Sequence, residues 1–153
     1  MSIEKFLKTE TQLPIAKNVV VNLLVTYGIV NNALNETLKP HDISIQQFNV
    51  LRILRGQKGN PASLATVQER MINKMSNTTR LIDKLIKKDY VKKKLNKNNK
   101  RKIDITITEK GLQFLAEIDD LIDSTEQNII ESLDNNEAQE LIRLLGKLRL
   151  IAS

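Results

Sequence analysis

Between Lys74 and Arg101 the chain gathers side chains suited to gripping a polyanion and reading hydrogen-bonding edges. Lys74, Ser76, Asn77, Thr79, Arg80 and Lys84 form the first group. Arginine can bond guanine O6 and N7 through two parallel N–H groups, asparagine can pair with adenine N6 and N7, and hydroxyls serve base edges or phosphates. Lys97, Asn98, Asn99, Lys100 and Arg101 form the second group, which is basic, free of acids and rich in turn-forming asparagine. An arginine on such a loop can enter a narrow minor groove, where the negative potential is strongest.

The charge distribution points the same way. The 153 residues carry 24 Lys and Arg against 18 Asp and Glu, a formal net charge of +6. Residues 70–110 alone hold fourteen bases against four acids, so the rest of the chain is net −4. Residues 112–140 contain nine acids and no Lys or Arg. A basic stripe on an acidic body orients a protein on a polyanion, which the total charge by itself does not reveal.

Other chemistries are poorly served. With no Cys there is no disulfide framework, thiol sensor or zinc finger, and one His makes a His-rich metal or catalytic cluster improbable. There is no Gly-rich phosphate loop and no Gly-x-Ser-x-Gly. His41-Asp42 follows Pro40 and reads as a turn, while Asp119, Asp120 and Asp123 read as a solvated helix face. No catalytic residue, cofactor or metal is expected. The apolar run from Leu13 to Val30 is interrupted by Lys17, Asn18, Asn22 and Thr26, which is poor material for a span of about 20 apolar residues. The N-terminus lacks a cleavable leader pattern, so a cytoplasmic chain starting at or near Met1 is expected.

The elements that must position these groups follow from periodicity. Residues 13 to about 38 repeat apolar positions at three- and four-residue steps, and Pro40 stops that helix. Ser44-Ile-Gln-Gln47 has capping-box spacing and opens a helix with Phe48, Leu51 and Leu54 on one side. Gly56, Gly59 and Pro61 mark a loop, followed by a short helix from about Ser63 to Met71 and another from about Asn73 to Lys88. Then the period becomes two: Ile103, Ile105 and Ile107 alternate with polar residues, and with Val91–Leu95 they predict a hairpin closed by 96–101. Helical spacing returns after Gly111 and again after Asp134 or Asn135.

The fold class is therefore mainly α with a small β-hairpin wing: a winged helix-turn-helix over 44–108 within a single chain of 153 residues. The flanking helices, 10–38 and 109–153, are more apolar than a DNA-binding module needs and read as dimerisation helices. On a wheel of about 100° per residue, Met75, Thr78, Leu81, Ile82, Leu85 and Ile86 share the inner side of the fourth helix. Asn73, Ser76, Asn77, Arg80, Lys84, Lys87 and Lys88 share the outer one.

Asn77-Thr-Thr-Arg-Leu-Ile-Asp-Lys-Leu-Ile-Lys-Lys-Asp-Tyr-Val91, the hairpin, and Ile105-Thr-Ile-Thr-Glu-Lys-Gly111 resemble the multiple-antibiotic-resistance regulator (MarR) family, and the resemblance extends over essentially the whole chain. It implies a dimeric winged-helix transcription factor, usually a repressor, on a palindromic operator, with release by a small aromatic or anionic ligand in many members. The family's wing Asp-x-Arg is here Asn99-Lys100-Arg101, so Arg101 matches the minor-groove arginine. Asp89 stands where many members carry glycine, and aspartate tolerates the left-handed conformation that a turn there requires. Asn22, Tyr27 and Asn31 are candidate ligand contacts between the first helix and the winged lobe. The alternative reading is a non-specific architectural nucleic-acid binder, which would grip all duplexes alike.

Overall fold

Caps and breakers divide the computed structural model, which describes residues 2–150, into helices and one antiparallel hairpin. In chain order these are α1 (Ile3–Leu7), α2 (Ile15–Leu38), a 3-10 turn (Lys39–His41), α3 (Ile45–Arg55), α4 (Leu64–Arg70), α5 (Thr78–Lys87), β1 (Val91–Leu95), β2 (Ile103–Ile107), α6 (Glu109–Ile130) and α7 (Asn135–Arg149).

Side-chain caps start most of them. Ser44 closes the expected capping box on α3: its Oγ accepts from Gln47 N at 3.1 Å while Gln47 Oε1 accepts from Ser44 N at 2.8 Å. Ser63, Asn77, Thr108 and Asp134 cap α4, α5, α6 and α7 in the same sense. Each such cap contributes about 1 kcal/mol by satisfying a backbone N–H that the helix leaves unpaired. α1 has no counterpart in the sequence pattern; Ser2 caps it, Ile3 is buried, and Asn18 Nδ2 donates to Glu4 Oε1 at 2.9 Å, tying it to α2.

The fourth predicted helix begins later than its sequence pattern suggests, at Thr78 rather than Asn73. Short amide side chains compete with the helical ladder for backbone donors. Asn73 Oδ1 accepts from Met75 N at 2.9 Å, and Asn77 Oδ1 accepts from Arg80 N at 3.1 Å, so 72–77 forms a turn and α5 starts after it. Lys74 and Ser76 therefore precede the helix, and Met75, expected on the inner face, is 92% exposed.

The core lies within the winged lobe. Leu51 and Leu54 of α3, Val67 of α4, Ile82 and Leu85 of α5 and Ile105 of β2 are fully or almost fully buried together with Leu115 and Ile118 of α6. The first half of α6 thus packs into the lobe beyond residue 108. Ala62 bridges Ile105 from the other edge of β2, with N–H to carbonyl distances of 2.9 Å both ways. β1 and β2 pair with Val91 opposite Ile107 and Leu95 opposite Ile103, so the connection runs over 96–102, one residue longer than the expected 96–101.

Where α5 turns into the hairpin, Asp89 adopts φ 60°, as expected of the glycine-like position. Tyr90 N then donates to Leu85 O at 3.0 Å, and Tyr90 stacks on Phe114 of α6 with centroids 4.7 Å apart. Gly111 makes this closeness possible: a Cβ there would lie 2.4 Å from the Tyr90 carbonyl oxygen and 2.8 Å from Ile107 Cγ1. Gly111→Ala is expected to destabilise the chain by about 1–3 kcal/mol through overpacking. A denaturant midpoint equal to wild type would show that the α6–wing contact is looser than this.

Among the described residues no helix is long and apolar enough to cross a membrane.

Candidate nucleic-acid interface

α5 turns Thr78, Ile82 and Leu85 into the core and leaves Thr79, Arg80, Asp83, Lys84 and Lys87 exposed. Its approach is fixed from α4. Thr78 Oγ1 donates to Gln68 Oε1, and Gln68 Nε2 donates to the Lys74 carbonyl at 2.9 Å. One glutamine therefore holds both the start of the helix and the turn before it. The sequence gives no sign of this role, because nothing in the neighbourhood of Gln68 distinguishes it from a solvated residue.

The predicted reading residues separate once placed. Thr79, Arg80 and Lys84 lie on the exposed face as expected. Lys74 is exposed in the turn, where its ammonium donates to the Glu69 carbonyl. Asn77 is exposed, but its Oδ1 is engaged as the α5 cap, which leaves the amide N–H groups to donate. A bidentate adenine contact would need that oxygen as well, so Asn77 is better suited to a single bond. Ser76 departs from the expectation: its Oγ is buried and has no partner, so the hydroxyl faces inward rather than toward a ligand.

Ion pairs flank the exposed face of α5. On the wing side Lys93 of β1 pairs with Asp83 Oδ1, an acid within the reading face whose partner the sequence spacing does not reveal. On the other side Lys88 pairs with Asp42, just past the 3-10 turn. The Lys88 ammonium, by hydrogen bond and charge, holds the Asp42 carboxyl below the usual carboxylate range. A lowered pKa means that this pair supports the fold above the ordinary carboxylate pKa and is lost as pH falls through the lowered value. Lys88 is thus drawn back toward the body, although the helical wheel puts it on the outer face with Lys84 and Lys87.

The wing is braced by asparagine. Asn96 Oδ1 accepts from the backbone N–H of both Asn98 and Asn99 at 2.9 Å, while its amide donates to the Asp104 carboxylate at 3.1 and 3.3 Å. Asn99 Oδ1 accepts from Arg101 N at 3.1 Å, and the Asn99 carbonyl accepts from Lys102 N at 2.9 Å. The neutral Asn99 therefore orders the tip through the backbone. Lys97, Asn98, Asn99, Lys100 and Arg101 are all exposed, and among the described residues Lys97, Lys100 and Arg101 form no ion pair. Their charge stays available to an external anion.

A mainly helical lobe carrying a capped, polar-faced helix and a basic antiparallel wing is a winged helix-turn-helix. Residues 33–118, more than half of the chain, match the family model described as transcriptional regulator SarA/Rot. The chain belongs to that family. Among curated relatives it is 25% identical over 114 residues to the transcriptional repressor MprA of Escherichia coli strain K12, covering 74% of this chain; the matched stretch spans 65% of the length of MprA. Two solved structures share the fold. One is a mutant MarR of Escherichia coli complexed with operator DNA, 24% identical, with a TM-score of 0.78 over 90% of this chain and 99% of that one. The other is BpsR of Bordetella bronchiseptica, whose DNA binding is regulated by 6-hydroxynicotinic acid, 20% identical, with a TM-score of 0.79 over 90% and 97%. The chain thus belongs to a family of transcriptional regulators and shares its fold with MarR.

The three candidate ligand contacts fall in two places. Tyr27 and Asn31 line a small hollow between α2 and the lobe, together with Ile45, Asn49, Met71 and Ile72. Asn22 lies along a groove between α2 and α7 that Tyr27 also lines, and its amide donates to Asn18 Oδ1 at 2.6 Å. That groove has a volume of about 620 Å³ and is lined by Val19, Leu23, Val30, Leu141, Leu144 and Leu148 among others. The apolar helices thus close no core of their own. Leu38 is the only buried residue of α2 and α7 has none, among the described residues.

Proposed function

We propose that this SarA/Rot chain is a sequence-specific DNA-binding repressor that acts as a homodimer on a palindromic operator. The observation that carries the reading is the joint presentation of the exposed Arg80, Thr79 and Lys84 of α5 and the unpaired bases of the wing on one acid-poor stretch of chain. A helix of this width enters the major groove, while the wing tip, with Arg101, reaches the adjacent minor groove. The acidic residues between 112 and 140 would be repelled by phosphate and so favour this orientation.

The homodimer reading rests on the exposed apolar surface of α2 and α7. Ile15, Leu24 and Ile29 of α2 and Ile142 of α7 are 62–85% exposed, large apolar side chains of the kind that an interface covers. Two copies joined there present two α5 helices to two half-sites. The hollow at Tyr27 and Asn31 is the place from which a small aromatic or anionic effector would act, since it adjoins both α2 and the turn leading to α5. A ligand wedged there would alter the spacing of the two reading heads.

Selection of binding sequences from a random duplex pool, at two salt concentrations, tests the reading. A two-fold-symmetric consensus is expected, with half-site centres about 34–36 Å apart. Equal retention of all duplexes would favour the architectural binder instead. Lys97→Ala should weaken every duplex alike and reduce the slope of log K against log salt by about 0.9 for each phosphate no longer neutralised. An effect confined to one sequence would show that Lys97 reads a base.

A further inference from the structure

The turn before α5 displays two exposed apolar side chains, Ile72 at 84% and Met75, of which Met75 lies nearer the start of the helix. Met75 is 92% exposed, whereas Met71 is 1% exposed. The backbone carrying Met75 is held on both sides: Ile72 N donates to Asn49 Oδ1 at 2.9 Å, Met75 N to Asn73 Oδ1 at 2.9 Å, and Ser76 N to the Asn73 carbonyl at 3.2 Å. The Gln68 bond to the Lys74 carbonyl adds a fourth restraint, at 2.9 Å. A backbone so restrained presents the thioether outward in a fixed place, two residues before the Asn77 cap and at the end of α5 that would enter a groove deepest.

Resting on the reading of α5 as the major-groove helix, we propose that Met75 is a specificity-determining residue that recognises the C5-methyl group of a thymine. The thymine methyl is the one apolar feature among the major-groove base edges. The polar side chains around Met75 offer hydrogen bonds and cannot distinguish thymine by that methyl. A flexible, polarizable thioether can cover it without requiring a particular donor geometry. The exposure of Met75 in the free protein is then the unfilled half of an apolar contact that DNA completes.

The test replaces each thymine of the selected operator, one at a time, by deoxyuridine, which lacks only the methyl group. Wild-type protein should lose about three- to fivefold in affinity at one position in each half-site, the equivalent of leaving one methyl uncovered. Met75→Ala should bind the thymine and uracil forms alike at that position while still discriminating at the base pair read by Arg80. Met75→Leu, which keeps an apolar side chain, should retain the thymine preference. If no position is sensitive to uracil, or if the sensitivity persists in Met75→Ala, the Met75 contact is overturned and the DNA-binding reading stands. Failure to select any consensus would overturn the assignment of α5 itself. Because Met75 is almost fully exposed, the substitutions are expected to leave the unfolding midpoint unchanged.

Discussion

Leu24→Glu is expected to convert the protein from a dimer to a folded monomer and to reduce operator affinity by about 10²–10⁴-fold, the advantage that two linked half-site contacts confer. Leu24 is 65% exposed on α2, so within one chain the glutamate remains solvated and the lobe core is untouched. In the dimer the same carboxylate would be buried in an apolar interface without a partner, and an unpaired buried charge is strongly disfavoured. Sedimentation of wild type and variant reads the mass directly, and circular dichroism checks that helix content is retained. A Leu24→Glu protein that sediments as a dimer and binds the operator normally would place the interface elsewhere.

Arg80→Ala should have the next largest effect, and its signature differs. Arg80 is exposed on the first turn of α5, and no carboxylate engages it among the described residues. Its guanidinium can therefore meet a guanine edge with two parallel bonds. Removing it should cost about 1–3 kcal/mol per half-site and flatten the preference at one base pair, leaving the rest of the consensus intact. Arg80→Lys should keep most of the salt dependence but not the preference, since an ammonium lacks the planar fork. Repeating the duplex selection with each variant measures both. If Arg80→Ala retained the wild-type consensus, recognition would have to reside in other residues of α5 or in the wing.

Much of the scaffold is legible in the sequence because the relevant signals are local. The Ser44–Gln47 capping box, Pro40 after α2, the two-residue alternation through Ile103, Ile105 and Ile107, and the left-handed Asp89 each depend on a few neighbouring residues and hold in the structure. The start of α5 is a different case. A helical wheel misplaces it, because apolar spacing takes no account of the capacity of Asn73 and Asn77 to take backbone donors for themselves. That competition moves Met75 from the inner face to the surface and turns the Ser76 hydroxyl inward. Both are shifts of a few residues that alter which side chains can meet a base.

The candidate site divides along the same line. Charge, residue type and order by themselves determined that a basic helix and a basic hairpin adjoin on an otherwise acidic body, since these properties are additive along the sequence. Only the tertiary structure decided which of those bases remain available. Lys88 and Lys93 are engaged by Asp42 and Asp83, 46 and 10 residues away, whereas Lys97, Lys100 and Arg101 have no such partner among the described residues. Likewise, only the fold separated Asn22 from Asn31, with Tyr27 lining both places, and revealed Gln68 as the link between α4 and α5. Pairing between distant residues depends on which surfaces the core brings into contact, and a linear pattern does not encode those distances.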